Sequence, residues 1–71
     1  MPRKLRELRS DLRRSGFVID RRTGSHETWK HPTVPSVSVT LAGGDGADAR
    51  PYQEDQVKEA LRTVREIERR R

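Results

Sequence analysis

Only fourteen of the 71 residues are Leu, Ile, Val or Phe. That is about a fifth of the chain, close to the level below which chains stay disordered. Each apolar side chain must therefore be well placed for any core to form. The net charge of +5 is too small to hold the chain open by self-repulsion. The expectation is one small, thin-cored domain of low stability that leans on a partner. There is too little chain to wall a deep pocket, so no cofactor is expected. No apolar run approaches membrane-spanning length, and none follows Met1 as a secretion signal would, so the expected location is cytoplasmic. The chain has no cysteine, which excludes disulfides, Cys-ligated zinc and thiol catalysis.

The placement of the apolar residues predicts five elements. Residues 2–15 read as a helix, with Pro2 at its first position, Gly16 just past its end and Leu5, Leu8 and Leu12 in one stripe. Its other face carries Arg3, Arg6, Arg9, Arg13 and Arg14. Residues 17–22 read as a strand, Thr23-Gly24-Ser25 as a turn that needs the glycine, and 26–31 as the return strand. Pro32 and Pro35 bracket a second connection, and residues 37–41 alternate as a half-buried strand does. Residues 42–50 read as a flexible loop with a small negative patch. A second helix over 51–69 follows, with Pro51 at its start, an apolar face of Val57, Ala60, Leu61, Val64 and Ile67, and a solvated basic end at Arg69–Arg71. The fold class is α+β: an α-β-β-β-α chain whose three-stranded antiparallel sheet has both helices on one face. The other face is left to solvent or a ligand. Which way Phe17, Val18 and Ile19 point is open, since all three are apolar.

Side-chain alternation separates the two histidines. Trp29 must be buried, so Glu27, Trp29 and His31 share the covered face, while His26, Thr28 and Lys30 share the open one. His31, before Pro32, reads as a packing or capping residue. His26 has no packing role. It is either an ordinary surface histidine beside a turn or a general acid–base, since imidazole alone titrates near neutral pH without help. Arg21, Arg22 and Lys30 are near enough in sequence to hold a phosphate against it. The opposite parity of His26 and His31 argues against a shared metal. Asp45 and Asp48 do not fit a calcium loop, Gly43-Gly44-x-Gly46 is no phosphate loop, and Ser25 lacks an obvious triad.

The charge balance points to a partner class. The pI is about 10.7, and thirteen of the sixteen cations are arginine. Arginine binds phosphate bidentately and stacks on bases, which fits a nucleic acid better than a lysine-rich surface would.

The segment Gly24-Ser25-His26-Glu27-Thr28-Trp29-Lys30-His31-Pro32, preceded by Gly16-Phe17 and followed by a Val-x-Val strand, resembles the HicA toxin family. By element order the resemblance covers roughly residues 4–67. It implies the double-stranded-RNA-binding-domain (dsRBD-like) fold and a ribosome-independent mRNA-cleaving endoribonuclease of a type II toxin–antitoxin system. It also implies a HicB antitoxin as partner in a hetero-oligomer, and His26, the histidine after Gly-Ser, as catalytic residue. The chain departs from the family in three places. Glu27 stands where many members have a second histidine, Leu41-Ala42-Gly43 replaces a Pro-x-His, and Pro51-Tyr52-Gln53-Glu54 replaces Gly-Thr-Leu.

On that resemblance, His26 moves a proton in an attack of the ribose 2′ oxygen on the adjacent phosphorus, with no metal. Arg21, Arg22, Ser25 and Lys30 contact phosphate, Gly24 shapes the turn, and Arg6, Arg9 and Arg13 supply further RNA-binding cations. Two other readings compete. One is a non-catalytic RNA-binding module; the other is an inactive remnant whose open sheet face serves an antitoxin-like protein.

Overall fold

The computed structural model describes residues 2–70. Its elements run α1 (Leu5–Arg14), β1 (Val18–Thr23), β2 (His26–His31), β3 (Val34–Ala42) and α2 (Pro51–Arg69). The strands form one antiparallel sheet in the order β1-β2-β3. Both helices lie on the Trp29 side, as the chain order requires. Leu5, Leu8 and Leu12 of α1, Val57, Ala60 and Val64 of α2, and Trp29, Val39 and Leu41 of the sheet belong to one buried cluster. The opposite side exposes His26, Lys30, Ser38 and Thr40. The α-β-β-β-α reading holds.

Several boundaries differ from expectation. α1 starts at Leu5, not at Pro2: Lys4 is its extended N-cap, and its backbone N–H donates to the Glu7 carboxylate at 2.7 Å. The residues before it are held by the β3–α2 loop. Ala49 N–H donates to Arg3 O (2.7 Å), Leu5 N–H to Ala47 O (2.9 Å) and Arg6 N–H to Asp45 O (3.2 Å). First-turn donors that a helix leaves orphaned are thus satisfied by loop carbonyls. The loop is pinned, where the sequence suggested a free one. Asp48 adds an ion pair to Lys4 at 2.5 Å, and Ala49 is buried. The expected end of the basic tail, Arg71, lies outside the described residues.

β3 begins three residues earlier than expected because the connection is only Pro32-Thr33, with His31 paired to Val34. Pro35 sits within the strand, which an edge strand tolerates. On the other side, Phe17 precedes β1 and turns inward, while Val18 and Ile19 remain 53% and 36% exposed. A bulge between Ile19 and Arg21 explains the rest of the strand. Ile19 pairs with Trp29, but Arg21 pairs with Thr28 and Arg22 with Glu27. The extra residue, Asp20, moves Arg21 to the open face and Arg22 to the covered one.

The junction between α1 and β1 is set by Gly16. Phe17 N–H reaches back to Leu12 O (2.9 Å) and Gly16 N–H to Arg13 O (3.1 Å), with Gly16 at φ +93°. This is a Schellman ending, and it delivers Phe17 into the core beside Leu12. A Cβ on Gly16 would also lie 3.0 Å from His31 Nε2. Gly16→Ala therefore meets both a left-handed backbone penalty and a buried ring. Urea unfolding should show a loss of at least about 1–2 kcal/mol.

Candidate nucleic-acid interface

His26 opens β2 directly after the two-residue turn Gly24-Ser25. Gly24 has φ +60°, and a Cβ there would meet nothing within 4 Å. The turn therefore needs glycine for its backbone conformation and not for space. Across the sheet His26 faces Thr23 on β1 and Ala42 on β3. Its side chain is exposed, and among the described residues no hydrogen bond or ion pair engages it. Register places Arg21 opposite Thr28 and Val18 opposite Lys30, so Arg21 and Lys30 flank the same open face as His26. Thr28 and Thr40 meet there at 3.5 Å between hydroxyls, and Ser38 stands opposite Lys30. The face is a polar, cationic surface with one histidine at its turn end.

The other expected phosphate-binding residues are elsewhere. Arg22 lies on the covered side, with Nη2 3.3 Å from Glu27 Oε2. Arg13 is exposed on α1, its guanidinium 5.3 Å from the centre of the Trp29 ring. Ser25 and both of these arginines line a groove of about 380 Å³ at the turn end of the sheet. Arg6 stands on the outer surface of α1, beside Arg3, Glu7 and Ser10.

Arg9 is the one clear correction among them. It was expected on the solvent face of α1 as an RNA contact, but it is only 7% exposed. Its Nε–H donates to Glu27 Oε1 (2.5 Å), Nη1 to Asp45 Oδ1 (2.6 Å) and Nη2 to Gly43 O (2.5 Å). Burial works to lower its proton affinity, but the hydrogen bonds to Glu27 and Asp45 outweigh that and raise its pKa above the ordinary arginine value. Each nitrogen of the guanidinium has a protein partner, so the group is built into the fold and is not free on the helix surface. Glu27 is 4% exposed and also accepts the Trp29 indole N–H at 2.9 Å. The sequence held the signal for this pair. A carboxylate sharing a face with a buried tryptophan needs a cation close by.

His31 is structural, as its parity suggested. Thr33 N–H donates to Nδ1 (3.2 Å), which leaves Nε2–H to donate to Ser15 O at 2.9 Å. The ring also meets Phe17 edge-on at 5.2 Å. It ties the end of α1 to the β2–β3 turn, on the opposite face from His26.

With this geometry in place, comparison with known families is informative. The model of the HicA toxin of bacterial toxin–antitoxin matches residues 5–67, all five elements of the fold. The chain belongs to the HicA toxin family: it is the toxin of a toxin–antitoxin system, a family generally of ribonucleases whose members have a cognate antitoxin. No curated protein and no solved structure gives a significant match. Among the described residues, no helix is long and apolar enough to cross a membrane.

The Arg9–Glu27 pair generates a stability prediction. A domain of this length is stable by only about 4–10 kcal/mol. Removing one member of a buried pair strands the other, at a cost of about 3–5 kcal/mol. Arg9→Met and Glu27→Met should each be close to unfolded in a urea titration. The double variant should recover much of the loss.

Proposed function

We propose that this toxin is a ribosome-independent endoribonuclease that cleaves mRNA in the cytoplasm, with His26 as its acid–base and no metal in the step. The observation that supports the reading is the isolation of His26. It is exposed, has no protein partner among the described residues, and shares its face with Arg21 and Lys30. In a 71-residue chain with little to spare, such a histidine has no structural use.

The chemistry follows from those groups. His26 takes the proton of a ribose 2′-OH, and the freed oxygen attacks the neighbouring phosphorus. The bond from phosphorus to the 5′ oxygen breaks, and that oxygen takes a proton from the imidazolium or from water. The products are a 2′,3′-cyclic phosphate and a 5′-OH. Arg21 and Lys30 stabilise the charge gathering on the phosphorane oxygens. Arg22, on the covered side, has no part in that stabilisation. A HicB-like antitoxin with an acidic surface would complement the cationic open face and cover His26, which suffices to inhibit.

His26→Ala should lower the cleavage rate by about 10²–10⁴-fold. In cells, induction of the wild type should arrest growth, and His26→Ala at equal protein level should not. A substrate with a single 2′-deoxy sugar at the cut should bind and stay whole, and EDTA should leave the rate unchanged. Cleavage that needs Mg²⁺ or survives the deoxy substitution would overturn the mechanism. RNA binding that is salt-sensitive and identical in His26→Ala, with no cleavage by either protein, would make the chain a binding module.

A further inference from the structure

Two consecutive arginines of β1 point to opposite sides of the sheet, and the bulge at Asp20 decides that Arg21 takes the open side and Arg22 the covered one; Ser25 and His26 part in the same way at the turn. Arg21 and His26 belong to the open face. Arg22 and Ser25 line the groove around the corner, together with Arg13, Gly43, Gly44 and the Arg9 cluster, whose carboxylates Glu27 and Asp45 are both paired to Arg9, leaving the cations in excess. The groove is therefore next to His26 along the chain but on the other side of the sheet.

The groove has the chemistry of a phosphate site. Arg9 at its floor is tied to Glu27, Asp45 and Gly43 O, one bond from each nitrogen. It contributes rigidity, since Glu27, held by Arg9, is also the anchor for Arg22. Arg22 and Arg13 keep their donors. The Arg22 side chain is 61% exposed and spends one nitrogen on Glu27. Arg13 lies over the Trp29 ring, its guanidinium carbon 5.3 Å from the ring centre, and its side chain is exposed. Two exposed arginines, each held by one contact to the domain, and a serine hydroxyl suit a phosphodiester oxygen pair.

We infer that this groove is a second phosphate subsite, and that the substrate is single-stranded RNA bent around the Gly24-Ser25 turn. The inference rests on the reading that the His26 face takes RNA. One phosphate lies against His26, Arg21 and Lys30, and a neighbouring one lies in the groove against Arg22, Arg13 and Ser25. A flexible single strand can make that turn within a step or two. A duplex resists bending over tens of base pairs and cannot follow both sides of a sheet edge. Neither surface offers an aromatic platform, since Trp29 and Phe17 are buried. The grip is on the backbone, so binding is salt-dependent and tolerant of base sequence.

The test uses the full chain and RNA oligonucleotides with 2′-O-methyl sugars, which cannot be cut by 2′ attack, so that binding is read apart from catalysis. Fluorescence anisotropy should show a single-stranded ten-mer binding at least about tenfold more tightly than its duplex, the scale of one charge-assisted contact. Arg22→Gln and Arg13→Gln should each weaken the single strand about tenfold and flatten the log–log salt slope by about 0.7. Arg65→Gln, on the far end of α2, should do neither. Should Arg13→Gln unfold, Ser25→Asp places a negative charge between the two sites and should weaken binding comparably. Equal affinity for duplex and single strand, or wild-type binding by the Arg22 and Ser25 variants, would overturn the inference. An active His26→Ala would instead sink the catalytic reading and leave these binding results standing.

Discussion

The fold depends on one guanidinium. Arg9 is the point at which α1, β2 and the β3–α2 loop are joined, through Glu27, Asp45 and the carbonyl of Gly43. A chain with so few large apolar residues cannot hold three segments in register by burial alone. Hydrophobic contact is non-directional, whereas five N–H bonds in a fixed plane accept few arrangements. The pair with Glu27 is costly to desolvate, and its net contribution to stability is small. Its contribution is to specify which loop lies against which helix. Trp29 belongs to the same arrangement, with its indole N–H on Glu27 and its ring under Arg13.

The division of labour between the two faces of the sheet follows from this economy. The side toward the helices holds Trp29, Val39 and Leu41 and the buried Arg9–Glu27 ion pair. The other side needs no apolar cover, and its Thr40, Ser38, Arg21 and Lys30 remain in water. His26 stands where the polar side meets the hairpin turn. A functional group there costs the core nothing, which is how so short a chain can carry one.

Much of the architecture was legible from alternation and punctuation. The Leu5, Leu8, Leu12 stripe, the Gly24-Ser25 turn and the period-two run through Val39 each point to one structure, and the face of each histidine follows from Trp29. What alternation could not reveal is where it breaks. The bulge at Asp20 shifts the phase of β1, so Arg21 and Arg22 exchange faces relative to a regular strand. Arg9 was misplaced for a related reason. A helical wheel assigns charge to solvent, and only the partner Glu27, eighteen residues away, makes its burial favourable. α1 starts three residues later than its local sequence suggests, because Pro2 is a valid first residue in isolation. The true cap is supplied by a loop that local sequence cannot foresee.

That cap also bears on how the toxin comes into being. The first turn of α1 takes its acceptors from Asp45 and Ala47, and Lys4 is tied to Asp48, forty-four residues later. α1 is thus finished by a loop some forty residues downstream of it. Closing so long a loop must await the sheet in between, so folding is non-local despite the chain's size. A chain cut before residue 45 keeps Glu27 for Arg9 but lacks Asp45 and both carbonyls that cap α1. Since α2 must also follow to close the core with Val57, Ala60 and Val64, the toxin reaches its finished form only when all five elements are present.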